Sequence, residues 1–343
     1  MEERFIKKNF TPRRFLQGKH IQTIFNVIFP PENKLLSEYY SEDIIIHTAD
    51  GSGDSLWLEH SPPLETYQKE GKKFNGYYMI LIHGMEGDSD SHYMLTLALA
   101  AIKNGYGVVR VNLRGCGKGS GFSNSIYNAG KSDDIEEVEA FVYKHYSKKI
   151  ILCGFSLSAN MVLKYLGEKK RPRIQYFSAI SPPLDLKKCC EYIDSPRGKF
   201  YRERFLRSFK HKIRKGFVYS NPLHKKSIFE TKTMFDFDDL YSAPMAGYKG
   251  ALDYYKQCSS KDFIYDIKQE GIIVHADDDP LVPADQFMHI KWEEIPQVTY
   301  ILTKGGGHMG FMTDKSIDIP DGRWLNYILL EYFRTLVDGK EKT

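Results

Sequence analysis

Three separated stretches of the chain carry residues that together could perform nucleophilic catalysis. The first is Gly154-Phe155-Ser156-Leu157-Ser158, which follows the apolar run Ile150-Ile151-Leu152-Cys153 and leads into a helix-like segment. In a strand–turn–helix context such a serine stands at the tip of a tight turn, a nucleophile elbow, and small residues are needed two positions to either side. Gly154 meets that need, and Ser158, in place of a second glycine, is small enough to pass. The second stretch is Asp277-Asp278-Asp279-Pro280, directly after an apolar run. The third is Gly305-Gly306-Gly307-His308-Met309-Gly310-Phe311, after the last strand-like segment. A serine hydroxyl is a poor nucleophile until a base takes its proton, and the base needs a partner that fixes its tautomer. Serine, then acid, then histidine is the order in which a doubly wound sheet delivers such groups to its strand ends. Ser156 is therefore the expected nucleophile and His308 the expected general base. Counting from the strand end favours Asp278 as the acid and leaves Asp279 open.

An acyl-transfer intermediate also needs N–H donors aimed at its oxyanion. The backbone N–H of Leu157 is the natural first donor. The loop His83-Gly84-Met85-Glu86-Gly87, after the third strand of the sheet, supplies Met85 as the second candidate.

These groups need a scaffold, and the pattern of the chain provides one. Residues 43–48 and 55–60 alternate like two strands around an Asp-Gly turn, which reads as a hairpin. From Tyr77 the runs become continuously apolar, as in strands buried on both faces: 77–82, 106–113, 150–155, 174–180, 271–276 and 297–303. Helix-like segments separate them at 91–104, at 132–146 with Ser132 as cap, after Ser156 to about Leu166, and finally at 321–337. Such alternation predicts an α/β fold with a mostly parallel sheet covered by helices on both faces. It breaks at Ser181-Pro182-Pro183. Residues 182–260 are aromatic, basic and helix-like, and read as a helical cap inserted at the ligand-binding edge of one domain spanning 1–343.

Composition narrows the function classes. A net charge of +4 on 343 residues demands no nucleic-acid partner, and no aromatic-basic motif stands out. Five cysteines, an odd count without a Cys-x-x-Cys pair, argue against a disulfide framework and for a reducing compartment. No secretory signal or bilayer-spanning run is expected, so a cytoplasmic protein is the expectation. The glycine-rich loop 115–121 fails the phosphate-cradle pattern, because Lys118 is followed by Gly119. His83 and His92 lack a nearby ligand set, so no metal and no cofactor are expected; His83 would line the site and His92 would orient a loop. The segment from Phe200 through Ile213 and Phe217 is basic and amphipathic. It is read foremost as a lid helix that buries its aromatics, with contact to an anionic membrane surface as the second reading.

The loop His83-Gly84-Met85-Glu86-Gly87 followed by Ser91-His92-Tyr93 resembles the YheT-like branch of the α/β-hydrolase superfamily, which also holds embryogenesis-associated and abhydrolase-domain proteins. The likeness continues in Gln22-Thr23-Ile24, in Asn112-Leu113-Arg114-Gly115-Cys116-Gly117 and in Gly154-Phe155-Ser156-Leu157. It extends through Phe237-Asp238-Asp239 with Gly247, Tyr254-Tyr255, Asp278-Asp279-Pro280 and Gly306 to Phe311. The resemblance implies the α/β-hydrolase fold and a carboxylesterase-like activity. Some relatives are lipid or phospholipid hydrolases or acyl-CoA:alcohol acyltransferases. Carried over by position, Ser156, Asp279 and His308 would form the triad, the acid being the one before proline. Where the family usually has Gly-Gly after the leucine, this chain has Ser158-Ala159. The expected activity is hydrolysis of a small-molecule or lipid ester, of medium or long acyl chain, through an acyl-serine. The alternatives are an acyltransferase on the same triad, or a silent relative that binds a lipid or a protein.

Overall fold

The computed structural model describes residues 9–66, 72–124, 126–169, 172–214 and 225–340. Its centre is a single eight-stranded sheet. The strands are β1 (Glu42–His47), β2 (Ser55–Ser61), β3 (Tyr77–Ile82), β4 (Gly107–Asn112), β5 (Lys149–Phe155), β6 (Ile174–Ile180), β7 (Glu270–Ala276) and β8 (Val298–Thr303). Their spatial order is β1-β2-β4-β3-β5-β6-β7-β8. The hairpin forms as expected, with Ile44 opposite Leu58, and β2 runs antiparallel to β4. All later neighbours are parallel.

Helices α1 (Lys19–Ile28) and α2 (Lys34–Glu38) precede the sheet. The crossovers carry α3 (His92–Lys103), α4 (Asp133–His145) and α5 (Leu157–Glu168). Between β6 and β7 the described residues form no strand. They form α6 (Leu186–Asp194), α7 (Lys199–Arg214), α8 (Lys225–Glu230), α9 (Met234–Phe237), a π-helical turn at Asp238–Ser242, α10 (Ala243–Met245) and α11 (Ala251–Cys258). The chain ends in α12 (Trp324–Lys340).

Strand periodicity of two sorts the apolar side chains into two cores. Met79, Leu81, Ile151, Cys153, Ile272 and Val274 pack on the face covered by α3 and α12. Tyr78, Ile80, Ile82, Ile150, Leu152 and Ile273 pack on the other, under α4, α5 and the inserted helices. This is why the parallel strands read as continuous apolar runs. Each such side chain, fully withdrawn from water, stabilises the fold by about 1.5–3 kcal/mol.

Two helix starts differ from the sequence reading. Ser132 occupies the position before α4, but its hydroxyl makes no cap and donates instead to Glu168. The last helix begins at Trp324 rather than 321, because Arg323 is held in a β-bridge with Met312 and Gly322 O accepts from Thr313 N at 2.9 Å. All five cysteines are free and buried. The loop after β4 has a structural task. Arg114, 1% exposed, reaches Asp134 at the start of α4 (Nη2–Oδ1 2.6 Å) and Asp54 and Asp50 in the hairpin turn (2.7 and 2.8 Å). One guanidinium thus ties the hairpin to the sheet, and its fork geometry suits several carboxylates at once.

Candidate active site

Ser156 lies between the end of β5 and the start of α5 with φ 54° and ψ −119°, a conformation L-residues rarely adopt. Holding it costs about 1–3 kcal/mol, which the neighbouring structure must offset. Its N–H donates to Ile180 O of β6 at 2.8 Å, and this locks the turn to the sheet. Gly154 is obligatory: a Cβ there would stand 2.6 Å from Ser158 O and 2.8 Å from Ala159 Cα. Ser158 does more than fit. Fully buried, its Oγ accepts from Phe155 N at 2.8 Å and donates to Ile82 O at 2.5 Å. It joins the ends of β5 and β3 beneath the elbow, which a glycine could not do. Ser158→Ala is therefore expected to destabilise the protein by about 1–3 kcal/mol, the cost of a buried N–H left without an acceptor. Chemical denaturation measures this, and an unchanged midpoint would show the bonds to be dispensable.

The three consecutive aspartates each hold one part of the histidine loop. Asp277 Oδ1 accepts from Gly305 N at 2.8 Å and Asp278 Oδ1 from Gly307 N at 2.9 Å. Asp279 Oδ2 lies 2.8 Å from His308 Nδ1, and His308 Nε2 lies 2.8 Å from Ser156 Oγ. The structure thus brings Ser156, Asp279 and His308 together and gives Asp278 a backbone partner instead. The reason is a tight turn, with Asp279 N donating to Ala276 O at 3.2 Å, which curls the third aspartate inward. Its other oxygen accepts from Leu281 N and Val282 N at 2.8 and 2.9 Å. Burial by itself would raise the Asp279 carboxyl. The charge and hydrogen bond of His308, the His275 ring and the backbone N–H outweigh it and hold the group below the usual carboxylate range. Asp278 is shifted the other way, pushed up by burial against the opposing Gly307 N–H.

The histidine loop also leans on α1. Thr23 Oγ1 accepts from His308 N at 2.8 Å and donates to Lys19 O at 2.6 Å. A Cβ on Gly307, whose φ is 58°, would meet Lys19 O at 2.4 Å. Thr23 is a residue that chemistry-led sequence reading misses, although the Gln22-Thr23-Ile24 likeness pointed to this stretch.

The loop after β3 sits directly on the elbow, since a Cβ on Gly84 would lie 3.0 Å from Phe155 O and Ser156 Cβ. Its N–H groups are spoken for on either side of Met85. Gly84 N donates to Tyr93 Oη at 2.9 Å, Glu86 N to Tyr127 Oη at 2.8 Å, and Gly87 N to Gly84 O at 3.1 Å. Among the described residues neither Met85 N–H nor Leu157 N–H has a protein acceptor. The two histidines exchange their expected tasks. His83 is fully buried and points away from the cavity, with Nδ1 donating to Gly84 O (2.8 Å) and Nε2 accepting from Leu113 N (3.1 Å). Burial lowers its pKa to about 4, so it remains a neutral fixture of the loop. His92 lines the cavity, and its buried Nδ1 has no hydrogen-bond partner among the described residues. Both departures follow from strand geometry, because His83 directly continues β3 into the core.

Ser156, His308, Met85 and Leu157 open on a cavity of about 660 Å³. One wall comes from α1, α2 and α3 through Ile24, Val27, Leu35, Leu95 and Leu99. The opposite wall comes from the inserted helices through Leu186, Ile193, Phe205, Phe209 and Met234. Helix α7 buries Tyr201, Leu206, Phe209 and Ile213, while Phe217 lies outside the described residues. Its Lys212 Nζ reaches Glu86 at 2.7 Å, and Ser208 also donates to that carboxylate, so the helix clasps the loop carrying Met85. Among the described residues no group of three His, Cys, Asp or Glu could hold a metal ion, and no helix is long and apolar enough to cross a membrane.

A mostly parallel sheet with a serine elbow, an acid after β7 and a histidine after β8 defines an α/β hydrolase, and residues 77–315 match the family described as alpha/beta hydrolase fold. The chain belongs to that family, in its YheT-like branch. It is 27% identical to YheT of Escherichia coli (strain K12) across 96% of this chain and 94% of that protein. It is 31% identical to a monoacylglycerol lipase of Saccharomyces cerevisiae (strain ATCC 204508 / S288c) across 69% of this chain and 55% of the yeast protein. The Pyrococcus furiosus esterase Pf2001 shares the fold, with a TM-score of 0.56 at 18% identity over 89% of this chain and 96% of that one.

Proposed function

We propose that this ester hydrolase cleaves carboxylic esters of medium or long acyl chains through an acyl-Ser156 intermediate. The observation that carries the reading is the unbroken chain Asp279–His308–Ser156, 2.8 Å at each link, beside two backbone N–H groups that find no acceptor among the described residues. Catalysis of this kind needs hydrogen-bond reach between nucleophile and base, and that reach is present. His308 Nε2 takes the Ser156 proton as Oγ attacks the ester carbonyl carbon. The carbonyl oxygen becomes an oxyanion, for which Met85 N–H and Leu157 N–H are the donors. Asp279 holds Nδ1–H and stabilises the imidazolium. The C–O bond to the alcohol then breaks, and His308 returns its proton to the leaving oxygen. Water, deprotonated by the same nitrogen, attacks the acyl carbon and restores Ser156.

The apolar walls of the cavity support a hydrophobic acyl chain, as does similarity to a protein named monoacylglycerol lipase. In this reading residues 182–260 are the cap of one hydrolase domain, and α7 closes over the acyl chain. The test combines a fluorophosphonate probe with a panel of esters of increasing chain length. Expected are a label on Ser156, none on Ser156→Ala, and kcat/KM rising with chain length as methylenes enter the apolar cavity. A folded preparation that the probe leaves unlabelled would defeat the acyl-serine mechanism. A panel in which acetate esters are cleaved best would defeat the chain-length reading alone.

A further inference from the structure

Helix α1 is inside out. It buries Gln22 and Asn26, at 1% and 3% exposure, and turns Ile21 and Ile28 outward at 45% and 59%, with Phe29 at 64% just beyond its end, while Val27 faces the cavity. A helix on the surface of a protein ordinarily shows the reverse polarity. The arrangement is locked. Gln22 Nε2 donates to Leu16 O and Met312 O at 2.8 and 3.0 Å, and Gln22 Oε1 accepts from Met312 N at 2.8 Å. Asn26 Oδ1 accepts from Arg323 Nη2 at 3.2 Å. Rolling the helix to hide its apolar stripe would break these bonds and move Thr23 off His308. Grouped apolar exposure of this kind marks an interaction surface.

Its surroundings indicate the partner. Phe15, 83% exposed, lies beneath Arg14, whose guanidinium carbon stands 5.7 Å from the ring. Tyr201 hydrogen-bonds His20 at 3.0 Å, which sets the exposed Phe200 of α7 beside the start of α1. Residues 11–38 contain four cations, Arg13, Arg14, Lys19 and Lys34, against the carboxylates Glu32 and Glu38 of the same segment. Asp314 stands 4.0 Å from Arg13, and Lys34 pairs with Glu32 at 3.5 Å, so a small positive surplus remains. Apolar side chains flanked by lysine and arginine suit the boundary between anionic headgroups and acyl chains. A two-fold contact with a second copy would instead set two net-positive faces together. The same segment lines the cavity through Thr23, Ile24, Val27 and Pro30. We infer that the outward face of α1 docks the protein on an anionic lipid surface, so that an amphiphilic ester passes along α1 to Ser156. The docking rests on the surface alone, whereas the fate of the ester rests on the hydrolase reading above.

Co-sedimentation of the full chain with vesicles of phosphatidylcholine, with and without phosphatidylglycerol, tests it. Wild type is expected to bind the anionic vesicles better and to release them as salt rises. The double variant Ile28→Glu, Phe29→Glu alters only exposed side chains outside the cavity, and is expected to lose at least about tenfold in partitioning. Its hydrolysis of para-nitrophenyl acetate should remain at the wild-type rate. Equal vesicle binding by wild type and variant, or none by either, overturns the docking. So does a wild-type dimer that the variant abolishes without any vesicle binding, which would make the stripe an interface between copies. Vesicle binding without fluorophosphonate labelling of Ser156 would leave the docking standing and remove the hydrolase reading.

Discussion

Ser156→Ala is expected to lower kcat/KM for the preferred ester by about 10⁴–10⁶-fold while leaving the fold intact. Removing Oγ deletes the group that His308 positions to bond covalently to the acyl carbon, whereas the cavity walls and the Met85 and Leu157 N–H groups remain. The residual rate should be that of water attacking a bound, polarised ester. His308→Ala should cost about as much, and the double variant little more than either, because nucleophile and base act as one unit. Stopped-flow or steady-state hydrolysis measures all three. A residual activity within tenfold of wild type in Ser156→Ala, after contamination is excluded by active-site titration, would remove Ser156 from the mechanism. The alanine must still occupy φ near 54°, so a far-ultraviolet spectrum and a melting curve close to wild type are part of the expected result.

The second large effect separates two neighbours in one aspartate run. Asp279→Asn is expected to lower kcat by about 10⁴-fold, since an amide can offer Nδ1 the wrong hydrogen-bond partner and stabilises no imidazolium. Asp278→Asn should cost less than about tenfold. Its oxygen only accepts from Gly307 N, and an amide oxygen can do the same. The pH dependence of stability carries the same distinction. The Asp279 carboxyl is held below its ordinary value, so its contribution is present above the unfolded carboxyl pKa and is lost as pH falls through the lower folded value. Asp278 is raised, so its contribution is complete below the unfolded pKa and fades as pH rises through the folded one. Asp279→Asn should therefore weaken the protein most at neutral pH, and Asp278→Asn should not. A larger activity loss in Asp278→Asn would reverse the assignment.

Much of the scaffold is legible in the sequence. The parallel strands announced themselves as continuous apolar runs because both faces are covered, and the breakdown of that pattern after Ser181 marked the helical segment between β6 and β7. Details of single side chains were less visible. Ser158 looked like a tolerated substitute for glycine, yet its hydroxyl bonds Phe155 N and Ile82 O across two strands that are distant in sequence. His83 and His92 could be assigned to the loop but not to their tasks, because only the run of β3 into the core decides which ring is turned inward. Ser132 stood at a cap position, and a glutamate from α5 claimed its hydroxyl.

By itself the sequence determined the order of chemistry along the chain: a serine after one buried strand, acids after another, and a histidine in a glycine loop after the last. Local rules suffice for that, since strand periodicity and turn residues are properties of neighbours. The tertiary structure alone decided which atoms meet. Asp279 rather than Asp278 faces His308 because a turn closing on Ala276 O sets the direction of each side chain, and a one-residue change of direction is invisible to composition or spacing. It also decided that α1 buries its amides and exposes its isoleucines. Amphipathic spacing tells only that a helix has two faces. Gln22 and Asn26 turn inward because Leu16, Met312 and Arg323, most of them some three hundred residues away, supply the bonds that make burying an amide affordable.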